Sequence, residues 1–304
     1  FGSSVSEFFL VPSVCVGTAS HRMADACTDD YLGKLNDQEN FTLGLTTGVV
    51  EQAISQPLLF WKNSFQQGIA FTANPLVVYR GVTASCCNMA ALTAIQTMST
   101  GFFRRALGAS ADGEALTASR EVFAALLGGA VSGPACCVLE LTMIQQQRFG
   151  GSIPSTLSRI VHTAGPQGLM RGLLGSTARE ALFTAGYLGS VPAVRRYVES
   201  SGTFASAPRL AEGAALVTAG LACGAMTQPF DTAKTCMQGD IDRKRYGNFL
   251  GTLRTLHQEY GSIRAFYRGY FWRSSNLILD FFLLDALNVR LAPILYADKF
   301  GPSG

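Results

Sequence analysis

The sequence predicts an all-α membrane protein with six transmembrane helices, arranged as three two-helix repeats around a central lumen, with short surface helices. Three observations predict this fold: a low content of charged residues, apolar segments of bilayer-spanning length, and a pattern that recurs along the chain. Of the 304 residues, 15% are charged and 48% are hydrophobic. Soluble domains average about 25% charged residues. This composition excludes a disordered chain, and the net charge of +3 argues against a nucleic-acid partner.

Long apolar segments predict the six spans. Residues 81–103, 122–139 and 213–230 contain no charged residue, and about 18 helical residues cross a hydrocarbon core of roughly 30 Å. Three further apolar segments contain ionisable residues: 41–61 with Glu51, 172–194 with Arg179 and Glu180, and 274–296 with Asp280, Asp285 and Arg290. Because such groups are costly in lipid, we expect them to face a polar lumen. The alternative is a helical scaffold in which they pair with one another.

A three-residue motif divides the chain into repeats. Tyr79-Arg80-Gly81, Met170-Arg171-Gly172 and Tyr267-Arg268-Gly269 recur at intervals of 91 and 97 residues. G-x-x-x-G pairs, which let membrane helices approach closely, lie in the first span of each repeat. We therefore predict an extension over residues 1–38 and repeats over 39–110, 111–205 and 206–304. The eight cysteines include two adjacent pairs and no C-x-x-C spacing, so we interpret them as small apolar side chains and expect no metal site.

Apolar residues at helical spacing between the paired spans predict amphipathic surface helices before Gly165 and Gly261. Only 24 residues separate Pro57 from Gly81, against 40 between Pro229 and Gly269, so the first surface helix must be short or absent. Pro57 and Pro229 each remove a backbone donor and are expected to kink their helices. Kinked helices around one axis would bring an acid from one helix to a base from the next.

Six spans in three repeats, each with a helix ending near P-x-[DE]-x-x-[KR] and a later aromatic-Arg-Gly, resemble the mitochondrial carrier family over about residues 39–300. The match is intact at Pro229-Phe-Asp231-Thr-Ala-Lys234, and partial at Pro57-Leu-Leu-Phe-Trp-Lys62 and Val138-Leu-Glu140-Leu-Thr-Met143. The resemblance implies a matrix-side gate of ion pairs. Its predicted residues are Lys62, Glu140, Asp231 and Lys234, with Gln66, Gln147 and Gln238 beside them.

In that gate, Glu140 would pair with Lys234 and Asp231 with Lys62. The third place would hold Leu59 and Met143, which are both apolar, so no charge is left unpaired at a cost of about 3–5 kcal/mol. The alternative is that these are ordinary charges at helix ends. At the opposite end the family carries acid–base pairs, whereas this sequence keeps the bases Arg104 and Arg195 and lacks the acids.

The resemblance also implies a substrate site seven and eight residues past each motif glycine. The predicted site residues are Asn88, Arg179, Glu180 and Asn276. A guanidinium beside a carboxylate suits an amino acid, because the two groups would bind its carboxylate and its ammonium. Neighbouring helical residues point about 100° apart, so Arg179 and Glu180 could both aim at one small spot only across a wide lumen. The alternative is that they pair with other interior groups, such as Glu51 or Asp280.

The resemblance further implies bound cardiolipin as a structural lipid at the glycines that precede helices, Gly150, Gly172, Gly247 and Gly269. No other cofactor is expected. The predicted function is transport of a small metabolite, such as an amino acid, by a multi-pass protein of the mitochondrial inner membrane; we expect no enzyme activity. The alternative is a non-transporting subunit with the same fold, which would bind other subunits of a membrane complex.

Overall fold

The computed structural model describes residues 37–108, 117–200 and 208–300, and within these ranges helices alternate with short turns and no strand occurs. Six helices have 25 to 32 residues. They are α1 (Asp37–Gln67), α3 (Val82–Ala106), α4 (Ala118–Phe149), α6 (Leu173–Ser200), α7 (Pro208–Gly239) and α9 (Tyr270–Leu295). The shorter helices are α2 (Pro75–Val78), α5 (Ile153–Ala164), α8 (Phe249–Tyr260) and α10 (Ala297–Phe300). Each predicted repeat thus contains two long helices. Residues 1–36 of the predicted extension lie outside the described residues.

The two amphipathic helices lie where the sequence predicts them. The side chain of Ser152 caps α5, and that of Asn248 caps α8 by accepting from the Gly251 N–H at 2.7 Å. Such caps satisfy backbone donors that have no partner within the helix. The helix α8 ends at Gly261, whose φ of 61° belongs to the left-handed region that glycine favours. In the first repeat the four-residue α2 is the only helix between α1 and α3.

The long helices pack against one another in chain order, and α9 also packs against α1. The contact between α4 and α6 depends on the small residues of the predicted G-x-x-x-G pair Gly129 and Gly133. A Cβ at Gly129 would lie 2.7 Å from the Glu180 carbonyl oxygen on α6. Glycine therefore lets the two helix backbones approach more closely than any other residue would.

The glycines of the repeated motif make equivalent contacts in the three repeats. All three have positive φ, and each packs its repeat against the next. A Cβ would lie 2.9 Å from the Met143 carbonyl oxygen at Gly81, 3.2 Å from Lys234 Cγ at Gly172, and 3.0 Å from the Lys62 carbonyl oxygen at Gly269. Met143, Lys234 and Lys62 occupy the same position of the P-x-[DE]-x-x-[KR] motif. The motif glycine therefore supports the helix segment that carries the charged motif.

Among the described residues, one helical segment, Ser119–Phe149, is both long and apolar enough to cross a membrane, with a mean hydropathy of 2.0 in its most apolar window. It contains the predicted span 122–139. The remaining long helices do not meet this criterion; α1 contains Glu51 and α9 contains Asp280. Because the criterion rests on length and composition alone, all six predicted spans stay predictions.

Candidate functional site

Two buried ion pairs join the three helices α1, α4 and α7. The Lys62 ammonium lies 3.0 Å from Asp231 Oδ2, which links α1 to α7. The Lys234 ammonium lies 2.7 Å from Glu140 Oε2, which links α7 to α4, and 3.2 Å from Asp231 Oδ1. These four residues are here called the ion-paired region. Each base therefore contacts the acid that the motif register assigns to it.

The third place of this arrangement is apolar. Met143 is buried in a small cluster with Ala84 and Ile144, and Leu59 packs against that cluster. The link between α1 and α4 is therefore a hydrophobic contact, which leaves neither an acid nor a base without a partner at this position.

The three glutamines predicted beside the gate have different partners. Gln66 Nε2 donates to Asp231 Oδ2 at 2.8 Å and so contacts an ion pair directly. Gln147 Oε1 accepts from Asn63 Nδ2 at 2.9 Å. Gln238 Nε2 donates to the backbone carbonyl of Arg171 at 3.3 Å. Gln66 is thus the member of the three that supports the charges, whereas the other two tie helices together.

Arg179 connects the predicted substrate site to the ion-paired region. Its NH2 donates to Glu140 Oε1 at 2.8 Å, and its Nε lies 3.6 Å from Asp231 Oδ1. It also forms an ion pair with its neighbour Glu180. This ion pair shows that the long arginine side chain can reach the glutamate beside it, whereas the joint approach of both to one substrate stays a prediction. Arg179 also pairs with other interior groups, as the alternative proposed, but with Glu140 and Asp231 rather than with Glu51 or Asp280.

Glu180 has two more partners. Gln96 Nε2 donates to its Oε2 at 3.1 Å, and the Cys136 thiol donates to its Oε1 at 3.3 Å. Cys136, Glu140 and Glu180 bring three potential metal-ligand atoms within 4.8 Å of one another. Arg179 NH2 bonds to all three of these side chains. A guanidinium therefore already supplies the positive charge that this acidic group needs.

The two predicted asparagines lie apart from this pair. Asn276 Nδ2 donates to Asp280 Oδ2 at 2.5 Å, one turn along α9. Asn88 Oδ1 is buried and accepts no hydrogen bond. In the described part of the chain, no hydrogen bond joins either asparagine to Arg179 or Glu180. The structure thus brings together two of the four predicted substrate residues.

At the opposite end the motif acids are absent, but one of the two bases has an acidic partner from elsewhere in the chain. Arg104, at the end of α3, lies 2.9 Å from Glu121 in the first turn of α4. The acid comes from the next helix rather than from the motif position on the same helix, so the motif alone could not reveal it. The side chain of Arg195 lies outside the described residues.

Sequence reasoning missed one set of equivalent side chains, the residues just before Pro57, Val138 and Pro229. Each bonds to the carbonyl of the motif arginine in its own repeat: Gln56 to Arg80 at 3.3 Å, Cys137 to Arg171 at 3.3 Å, and Gln228 to Arg268 at 2.9 Å. Arg273, also missed, donates to Gln228 Oε1 at 3.0 Å. The Gln-Pro dipeptide shared by two repeats was the available signal.

The glycines predicted to hold lipid lie beside helix starts. Gly172 directly precedes α6, and Gly269 is the residue before α9. Gly150 lies two residues before Ser152, which caps α5. Gly247 directly precedes Asn248, which caps α8, and is exposed. Gly172 and Gly269 also have the packing role described above, which explains their conformation without a lipid.

A family model described as mitochondrial carrier protein matches residues 207–283 of the chain. The tricarboxylate transport protein of Saccharomyces cerevisiae is 24% identical over 79% of this chain and 90% of its own length. The mitochondrial glycine transporter of Yarrowia lipolytica is 26% identical over 74% and 84%. That of Emericella nidulans is 31% identical over 36% and 33%.

The predicted resemblance to the mitochondrial carrier family is confirmed. The family model covers the third repeat, which carries the one intact charged motif, while two of these relatives align along most of their length. In this chain, the ion-paired region consists of the residues of the charged motif itself. These relatives are named as transporters of different metabolites, one a tricarboxylate and the other glycine.

Proposed function

We propose that this carrier moves a small metabolite across the mitochondrial inner membrane by alternating access. Its six long helices would span the membrane as three repeats around a lumen, and the ion-paired region would close the matrix side. The observation that carries the proposal is the bonding of Arg179 to both Glu180 and Glu140, because it couples a candidate substrate residue to the gate.

The proposed substrate is a small zwitterionic amino acid. Its carboxylate would bind the Arg179 guanidinium, which can donate two parallel hydrogen bonds, and its ammonium would bind the Glu180 carboxylate. Arg179 and Glu180 pair with each other in the absence of substrate. A bound zwitterion would replace this one ion pair by two ion pairs with the substrate. That replacement leaves no charge of this pair without a partner.

The local charge favours a zwitterion over a tricarboxylate. Around Arg179, the four cations Lys62, Arg179, Lys234 and Arg273 face the three carboxylates Glu140, Glu180 and Asp231. This leaves a single excess positive charge, which would not neutralise a trivalent anion. The glycine transporters among the relatives are therefore the better guide to the substrate class.

Substrate binding would also loosen the gate. A carboxylate on Arg179 competes with Glu140, which then depends on Lys234 alone. Because Glu140 and Lys234 link α4 to α7, weakening this network favours the state with the matrix side open. The substrate would thus bind more tightly to the matrix-open state than to the matrix-closed state, and this difference in affinity would drive the opening.

Uptake of labelled glycine and labelled citrate by protein in cardiolipin-containing liposomes tests the proposal. The wild type should take up glycine in preference to citrate. Arg179→Lys keeps the charge but loses the planar fork, so its glycine uptake should fall at least tenfold. Arg254→Ala, on the exposed face of α8, is the matched control and should transport normally. Citrate uptake without glycine uptake would refute the substrate class.

The relatives, which are named as transporters, do not favour the non-transporting alternative. Part of its basis was the missing acid at the outer end, and Glu121 supplies an acid to Arg104. If folded, monodisperse protein in liposomes supports no solute uptake, the non-transporting alternative would be favoured. A search for co-purifying subunits would then follow.

We also propose cardiolipin as the structural lipid at Gly150, Gly172, Gly247 and Gly269. Helix starts offer free N–H groups and a favourable dipole for phosphate. Cardiolipin should raise the melting temperature more than phosphatidylcholine does, by mass action. Gly247→Pro removes one N–H at an exposed position and should reduce that rise.

A further inference from the structure

A second pair of acids lies in the interior, where α1 packs against α9. Glu51 on α1 is completely buried. Asp280 on α9 lies within hydrogen-bonding reach of Glu51 and of Ser55. Glu51 and Asp280, here called the carboxyl pair, belong to neither the ion-paired region nor the Arg179 network.

Each acid of the carboxyl pair receives one hydrogen bond from its own helix. Ser55 Oγ donates to Glu51 Oε1 at 3.0 Å, and Asn276 Nδ2 donates to Asp280 Oδ2 at 2.5 Å. The other two oxygens, Glu51 Oε2 and Asp280 Oδ1, are buried and receive no donor. One hydrogen atom shared between the two neighbouring acids would satisfy both of these acceptors.

No described cation neutralises the carboxyl pair. The charged and titratable groups on the helices packed around it include Lys62 on α1, Cys86, Arg104 and Arg105 on α3, Asp231 and Lys234 on α7, and Arg273 and Arg290 on α9. Lys62 pairs with Asp231, and Arg273 donates to Gln228 and Thr227. Cys86, whose thiol faces Val49 and lies near Glu51, carries no positive charge.

We propose that Glu51 and Asp280 share one proton, which bridges Glu51 Oε2 and Asp280 Oδ1, and that they form a proton-binding site. With one proton the pair carries one negative charge instead of two, and the proton satisfies both oxygens. Two adjacent buried carboxylates cannot both stay ionised, since each is desolvated and repelled by the other. A proton needs no cavity, whereas a calcium ion would need six to eight oxygen ligands.

This site would make transport proton-linked, a consequence that rests on the proposed function. The carboxyl pair joins the first long helix to the last, and Asn276, a predicted substrate residue, binds to it directly. A movement of α1 against α9 would separate the two acids and change their affinity for the proton. The proton would therefore be taken up on one side and released on the other.

Infrared spectroscopy of the purified protein at pH 7 tests the site without requiring transport. The carbonyl stretch of a protonated carboxylic acid should be present in the wild type. It should be lost in Glu51→Gln and in Asp280→Asn, because the new amide can donate to the remaining carboxylate in place of the proton. Asp242→Asn, an exposed control, should keep the band. Absence of the band in the wild type, or its persistence in both variants, would overturn the proposal.

Glycine uptake under an imposed pH gradient tests the linkage. The gradient should accelerate uptake by the wild type and leave Glu51→Gln unaffected. If the wild type shows the band but takes up no solute, the proposed function fails and the proton site stands. If uptake proceeds without the band, the proton site fails and the proposed function stands.

Discussion

At the scale of single residues, the polar interior depends on which charge faces which. Asp231 contacts Lys62 and Lys234 and accepts from Gln66, while Glu140 contacts Lys234 and Arg179. Charges buried in this way are stable only while each keeps a partner. The apolar contact of Leu59 with the Met143 cluster follows the same rule, because both partners of the third bridge are absent together.

Leu59→Glu should strongly destabilise the protein. It introduces a carboxylate beside an apolar cluster with no base assigned to it, at a cost of about 3–5 kcal/mol. Leu59→Glu combined with Met143→Lys should recover much of that loss, since the register that pairs Asp231 with Lys62 would pair these two residues. Melting temperatures of the single and double variants measure the effect. A double variant that melts below both single variants would contradict the pairing.

Asp240 makes the stability of the α7–α8 turn dependent on pH. Burial raises the pKa of this carboxyl, but the N–H groups of Tyr246, Arg245 and Lys244 outweigh it, so the pKa lies below its ordinary value. The Asp240 carboxylate therefore contributes its full stabilisation of the folded protein above the unfolded pKa of about 3.9. This stabilisation disappears as the pH falls through the lower pKa of the folded state.

Asp240→Asn should accordingly lower the melting temperature at pH 7 and have a diminishing effect as the pH approaches 3. The measurement is the difference in melting temperature between variant and wild type across that range. A difference that grows toward acidic pH would show that the sign is wrong.

At the scale of helices, close packing of α4 on α6 brings Glu140 near Arg179. Gly129→Ala would place a Cβ 2.7 Å from the Glu180 carbonyl oxygen, so it should cost about 1–3 kcal/mol through overpacking. Gly213→Ala in α7 is the matched control, because nothing lies within 4 Å of its Cβ position. It should be neutral or slightly stabilising, since alanine favours helices. Equal melting temperatures for the two variants would contradict this packing.

At the scale of the whole molecule, the long apolar segments predicted the helices. The recurring three-residue motif showed which positions of the three repeats are equivalent. The surface helices α5 and α8 follow from apolar spacing, and the near-absence of one in the first repeat follows from the short interval after Pro57. The contact of Lys62 with Asp231 follows from the motif register. Each of these depends on local pattern or on register alone.

Other contacts could not be predicted because they depend on how separate helices are placed. The bond between Arg179 and Glu140 requires the relative heights of α4 and α6, which no motif encodes. Glu121 reaches Arg104 from the start of the following helix. The carboxyl pair joins residues on the first and last long helices, and their spacing in the sequence carries no signal.

The most direct measurement of the central claim is exchange across liposomes that contain the wild-type protein. Alternating access over one zwitterion site predicts that unlabelled glycine inside the liposomes accelerates uptake of labelled glycine, because a loaded carrier returns in either direction. Internal citrate should have no such effect. Uptake that internal glycine leaves unchanged, or that internal citrate accelerates, would contradict the account.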